Sequence, residues 1–237
     1  MDWKIVQIAE TDSTNHWLRE HGTEEDMVVV ADYQTAGRGC GSNTWESERG
    51  CNLLFSILLH PVGLLAIRQF HVSMAVSLAI CQVLDQYIGD VSIKWPNDIY
   101  WRNGKIAGIL IEHTLVGAVV KDSIIGVGLN VNQQRFVSDA PNPVSLWQLC
   151  KQDTDRRQLL DAILQRFHDL MGQDVRSSYL SRLYRSRGFH PYIDSQGAFM
   201  AQLTDVKPDG RLVLTDEMGT ERTYAFKEVK LDRKSVV

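Results

Sequence analysis

The chain is short of cysteine, has no surplus of positive charge and contains no long uncharged apolar run, and each shortage removes a class of protein. Its four cysteines (Cys40, Cys51, Cys81 and Cys150) are scattered, with no C-x-x-C pair. A structural zinc site is therefore not expected, and the thiols are read as reduced. Lys+Arg 25 against Asp+Glu 29 leaves a net charge of −4, which argues against a nucleic-acid binder working through bulk charge. The uncharged stretch Gln69 to Leu84 still carries His71, Ser73, Ser77 and Gln82, whereas a bilayer span needs ~20 mainly apolar residues. The opening residues lack the basic start and apolar core of an export signal. The expectation is a cytoplasmic protein that engages no membrane. Internal repeats and low-complexity tracts are also missing. What remains is an ordinary globular composition, 44% hydrophobic and 23% charged over 237 residues, enough for one full-sized domain plus something small.

Periodicity fills in the elements. Thr11-Asp12-Ser13-Thr14-Asn15 is a cluster of N-cap residues ahead of a short helix ending at Gly22. Met27–Tyr33 and Asn52–Leu59 read as strands. From Gln69 the apolar residues recur at helical spacing, and Met74, Leu78 and Cys81 fill the other face, so this helix should be central and buried. Strands are expected at Val91–Trp95, Lys105–Glu112 and Ile124–Val131, with Asn103-Gly104 as a tight hairpin turn. Residues 155–185 look helical. After Gly188 short strands alternate with Gly, Pro and Asp-Gly turns, as in a small β-barrel. Residues 187–237 hold eight basic and eight acidic residues, so this segment is no electrostatic arm.

Four signals carry chemistry. Gln34-Thr35-Ala36-Gly37-Arg38-Gly39-Cys40-Gly41-Ser42 follows a strand, but its G-x-G-x-G spacing and the polar loop after it do not fit a dinucleotide fingerprint. It reads either as a surface turn or as a loop whose amides and Arg38 surround an anion. Lys94-Trp95-Pro96-Asn97-Asp98 reads either as a plugged strand end or as a cation beside a carboxylate and an amide, a set that holds Mg²⁺, phosphate or ribose. Lys105 opens an apolar strand in which Gly108 weakens packing unless something approaches the backbone closely. Gly126-Val127-Gly128-Leu129-Asn130-Val131-Asn132 repeats that pattern, with an amide at Asn130 that needs partners if buried.

Taken in order, Ser13-Thr14-Asn15, Q-T-A-G-R-G, Trp45, K-W-P-N-D, K-I-A-G-I-L-I-E and G-V-G-L-N-V-N resemble the biotin–protein ligases (holocarboxylase synthetases), from about Thr11 to Asn132. Asp209-Gly210-Arg211-Leu212-Val213-Leu214 and Glu228-Val229 are similar to that family's small C-terminal domain. The resemblance implies an α+β fold. A mixed β-sheet with helices packed against it, of the class II aminoacyl-tRNA synthetase and biotin ligase kind, would occupy residues 1–186. An SH3-like β-barrel would follow at residues 187–237.

The implied activity joins biotin to ATP as biotinoyl-5′-AMP, with Mg²⁺, and passes the biotinoyl group to one lysine of a biotin carboxyl carrier protein domain. By resemblance Ser13, Thr14, Asn15, Gln34, Gly37, Arg38, Gly39, Lys105 and Gly108 hold biotin. Trp45, Lys94, Asn97 and Asn130 face ATP or the adenylate. Lys105, Arg38 and Asp98 are the catalytic set, and no residue is assigned as a metal ligand. Relatives commonly carry a long polar residue at position 40, so Cys40 implies weaker retention of the adenylate. The family's DNA-binding extension is not expected here, and an exposed sheet edge leaves a homodimer open. The competing readings are a lipoyl or octanoyl transferase of the same architecture and a non-catalytic module that binds biotin or a carrier domain.

Overall fold

The computed structural model describes residues 3–41, 43–137 and 142–232; Ser42 of the glycine-rich run lies outside them. In chain order the first part contains β1 (Lys4–Ile8), α1 (Thr14–His21), β2 (Met27–Ala31), β3 (Leu53–Leu59), α2 (Phe70–Leu84), β4 (Val91–Lys94), β5 (Asp98–Trp101), β6 (Gly104–Val116), β7 (Val119–Leu129), α3 (Leu146–Cys150), α4 (Arg156–Met171) and α5 (Arg176–Ser181). The strands form one seven-stranded mixed sheet in the order β1-β2-β3-β7-β6-β5-β4. β1 and β2 run parallel and every other pair is antiparallel. This is the expected α+β class.

Strand periodicity decides what each side of the sheet receives. Leu53, Phe55, Ile57 and Leu59 of β3 point to one face, joined by Ile125, Val127 and Leu129 of β7. There α2 lies across them as the central helix, with α4 packed beside it. The opposite face carries Ser56, Gly126, Gly128, Gly108 and Leu110, neighbours by register. Alternation in G-V-G and A-G-I-L thus sends apolar side chains to the core and leaves a glycine floor on the other face. The stretch Ala66–Leu84 is long and apolar enough to cross a membrane, but it is the core helix and two-thirds buried.

Two expectations need correction. The tight turn has Arg102 and Asn103 at its centre, because Trp101 opposes Gly104 in the ladder and Arg102 takes φ 47°. Gly104 serves packing instead: a Cβ there would meet Val144 Cγ1 at 2.9 Å. The N-cap cluster also acts differently, since Ser13 makes no side-chain cap to α1. The Thr14 N–H donates to Gln34 Oε1 (2.8 Å), a residue twenty positions away.

The second sheet comprises β8 (His190–Asp194), β9 (Gly197–Val206), β10 (Leu212–Asp216), β11 (Glu221–Tyr224) and β12 (Lys230–Leu231), all antiparallel in the order β11-β10-β9-β8-β12. It docks on the first through Trp95, whose indole N–H donates to Gly210 O (2.9 Å) and whose ring meets Phe226 edge-on at 6.4 Å.

Candidate active site

A single cavity of about 900 Å³ lies between the glycine floor, the start of α1, the glycine-rich loop, the β4–β5 turn and the second sheet. Ser13, Thr14, Asn15 and Gln34 line one end. Their geometry is locked from below. Ser56 Oγ lies 2.7 Å from both Thr14 Oγ1 and Asn15 Oδ1. Thr14 Oγ1 is 3.0 Å from Gln34 Oε1, and Asn15 Nδ2 donates to Glu112 Oε2 at 2.9 Å. A Cβ on Gly126 would run into the Asn15 amide, whose Cγ it would approach to 2.9 Å. Gly126 and Glu112 entered the sequence reading only as members of the G-V-G-L-N-V-N and K-I-A-G-I-L-I-E runs, and Ser56 did not enter it; the polar serine in an otherwise apolar strand, L-L-F-S-I-L-L, is the signal that pointed to it.

The glycine-rich loop is a small hairpin. Trp45 N–H donates to Gly37 O (2.9 Å), Gly39 N–H to Asn43 O (2.8 Å), and Arg38 bridges Thr44. Arg38 and Gly39 face the cavity; Gly37 is buried beneath Trp45 and does not line it. The Trp45 indole lies flat on the paired glycines of β6 and β7. A Cβ on Gly128 would meet its Nε1 at 2.7 Å, and one on Gly108 would meet the ring at 2.9 Å and Lys105 Nζ at 3.2 Å. Close approach, not turn geometry, is what these glycines permit. The Trp45 indole nitrogen is buried without a hydrogen-bond partner.

Opposite Arg38, the K-W-P-N-D run makes the β4–β5 turn, with Lys94 and Asp98 directly paired across the ladder. Asp98 Oδ1 accepts from Lys105 Nζ at 2.6 Å, and its Oδ2 lies 3.8 Å from Lys94 Nζ. The side chains of Lys105 and Asp98 are 31% and 17% exposed, so this charge cluster is only partly screened. Lys105 also lies 5.5 Å from the Trp45 ring. Its backbone is clamped by Asn142 O and Val144 N.

Asn97 lines the cavity with the other expected residues, and Asn130 does not. The Asn97 amide donates to Ile109 O (2.7 Å) and Cys40 Sγ (3.0 Å), tying the turn and the glycine loop to β6. Asn130 is buried away from the cavity wall; its amide donates to Val144 O (3.1 Å), and its Oδ1 has no partner. Burial first, and then the Asp98 charge, push the Cys40 thiol up, so position 40 presents a neutral group. Among the described residues no group of three or more His, Cys, Asp or Glu is placed to hold a metal ion.

Such an arrangement suits chemistry that brings two anions together. Lys94, Lys105 and Arg38 supply cations, and Asp98 holds two of them in place. The volume of about 900 Å³ lies at the upper end of the range for small-molecule and cofactor sites.

Comparisons with known proteins agree with this geometry. The model of the biotin/lipoate A/B protein ligase family matches residues 6–130. The bifunctional ligase/repressor BirA of Bacillus spizizenii is 31% identical over 232 residues, covering 92% of this chain and 70% of that protein. The biotin–[acetyl-CoA-carboxylase] ligase of Paracoccus denitrificans is 28% identical over 236 residues, covering 87% of this chain and 96% of its own length. In fold the chain is similar to the biotin protein ligase from Aquifex aeolicus solved with biotin and ATP, with TM-score 0.80 at 24% identity, over 97% of this chain and 99% of that one.

Proposed function

The chain belongs to the biotin/lipoate A/B protein ligase family, and we propose that it is an ATP-dependent biotin ligase that modifies a carrier-domain lysine. One observation carries this reading: Lys105, Asp98 and Lys94, from separate strand ends, and Arg38, from the glycine-rich loop, line one cavity above a glycine floor. The end lined by Ser13, Thr14, Asn15 and Gln34 supplies donors and acceptors for a polar ring system and is assigned to biotin. Gly108 provides the close approach that a flat ligand needs, and Gly37 supports the loop above it through Trp45.

In the first step a carboxylate oxygen of biotin attacks the α-phosphorus of ATP. The bond from that phosphorus to the bridging oxygen breaks, and pyrophosphate leaves. Lys105 and Arg38 offset the repulsion between the two anions, held in position before the reaction begins. Trp45 and Lys94 are assigned to the nucleotide side. Asn97 and Asn130 act on it indirectly, through the turn and through the strand end at Lys105. Mg²⁺ would offset the charge of the phosphate oxygens, and no side chain is assigned as its ligand. In the second step the amine of the carrier lysine attacks the acyl carbon and AMP leaves. Asp98 is assigned to helping that amine lose its proton.

The expected acceptor is the biotin carboxyl carrier domain of a carboxylase. Residues 1–186 would form the catalytic domain and 187–237 the smaller one. Exchange of pyrophosphate into ATP, run with biotin, with lipoate and with no acid, tests the reading. Biotin-dependent exchange supports it, lipoate-dependent exchange moves the chain to the lipoyl branch, and no exchange with either acid leaves a binding module.

A further inference from the structure

Lys227 stands in the second sheet's last loop, between β11 and β12, with φ 72°. That left-handed conformation is strained for a residue with a side chain and free for glycine. An observed strain of this kind calls for a reason at the site where it occurs. The side chain of Lys227 reaches across the domain junction to the glycine-rich loop and lies directly against Gly41, where a Cβ would approach its Cε to 3.2 Å. Lys227 also lines the cavity that holds Lys105 and Arg38, and its charge is felt at Cys40 together with that of Lys105. The junction at its base is anchored by Trp95, through Gly210 and Phe226, and the Lys227 ammonium lies 5.7 Å from the Phe226 ring. Lys94 and Lys105 share the carboxylate of Asp98. Among the described residues Lys227 has no carboxylate within ion-pair distance, so its charge is uncommitted. Position 40, its neighbour across the loop, presents only a thiol.

We propose that Lys227 is a phosphate-contacting residue: it reaches from the second sheet onto the glycine-rich loop and holds the anionic part of ATP, and then of the acyl-adenylate, beneath that loop. The second sheet is thereby part of the nucleotide site. This rests on the adenylation reading above, and wild-type biotin-dependent pyrophosphate exchange is measured first, so that failure of that reading shows as no exchange by the wild type.

The informative variant is Lys227→Gly, which removes the cation and relieves the backbone strain together. Its melting temperature should equal or exceed that of the wild type. Its KM for ATP should rise about five- to tenfold and the adenylate should leave faster by a similar factor, with KM for biotin little changed. Added KCl should weaken ATP binding to the wild type more steeply than to the variant. Lys227→Arg should keep wild-type values, and Cys40→Arg placed in the Lys227→Gly chain should restore retention by returning a cation to the loop. Unchanged ATP KM and adenylate release in Lys227→Gly, or equal losses for both substrates with a lowered melting temperature, would overturn the proposal.

Discussion

Replacing Lys105 by methionine keeps the length of the side chain and deletes its charge, and the structure allows both consequences to be sized. Two unit charges about 4 Å apart interact by about 4 kcal/mol at an effective dielectric constant of about 20. Lys105 is 31% exposed, so solvent screening reduces its hold on the reacting phosphate to about 2–3 kcal/mol, or roughly 30- to 150-fold in rate. Stability should change little. Asp98 keeps Lys94 at 3.8 Å when Lys105 is neutral, so no carboxylate is left uncompensated. A partly exposed pair contributes up to about 1 kcal/mol, which moves the melting temperature of a chain this size by about 2–4 °C. Biotin-dependent exchange of labelled pyrophosphate into ATP reads the first quantity, and thermal unfolding reads the second. Lys105→Arg, which keeps the charge in a wider planar group, should recover part of the loss. A Lys105→Met enzyme within about threefold of wild type, or one whose melting temperature collapses, refutes the electrostatic role.

Three further outcomes follow from particular contacts. Gly128→Ala places a methyl group against the Trp45 indole; the ring must leave the floor, so tryptophan emission should shift and the KM for biotin rise by at least about tenfold, and an unchanged KM would show that the floor does not receive biotin. Asp98→Asn should depress acceptor transfer more than adenylate formation, measured separately with carrier domain and by pyrophosphate exchange; equal losses reject the proton-accepting role. Burial holds the His113 imidazole below its ordinary value of 6.5, so the unfolded chain binds that proton more readily. The stability it contributes is present above pH 6.5 and is lost as the pH falls below that value. Between about pH 7.5 and about pH 5.5 the urea midpoint of the wild type should therefore fall further than that of His113→Gln, and equal falls would remove His113 from the account.

Much of the fold was legible because local patterns and tertiary burial agree. The helix from Gln69 shows its period on every face and became the buried α2, Phe70–Leu84. β1 and β5 were not anticipated: K-I-V-Q-I mixes polar and apolar residues, and β5 opens on Asp98, which reads as part of a turn. The glycines in A-G-I-L and G-V-G were legible as close approaches. That the approaching group is Trp45, some sixty to eighty positions away, was not. Asn97 and Asn130 both read as ligand-facing amides, and only Asn97 lines the cavity, because an amide at a strand end suggests the same thing whether a ligand or a carbonyl satisfies it. Here they donate to Ile109 O and Val144 O.

The order of motifs along the chain by itself determined the family resemblance, the mixed α+β class and the set of residues to watch. Alternation within each strand determined which side chains leave the core. Tertiary structure alone decided that Asp98 joins Lys94 to Lys105, that Ser56 and Glu112 fix the polar end of the cavity, and that a lysine of the second sheet rests on the glycine loop. Side-chain type and period are properties of neighbouring residues and survive in one dimension. Charge pairing between strands depends on register and on how two sheets dock, and those are set only when the whole chain buries its apolar surface.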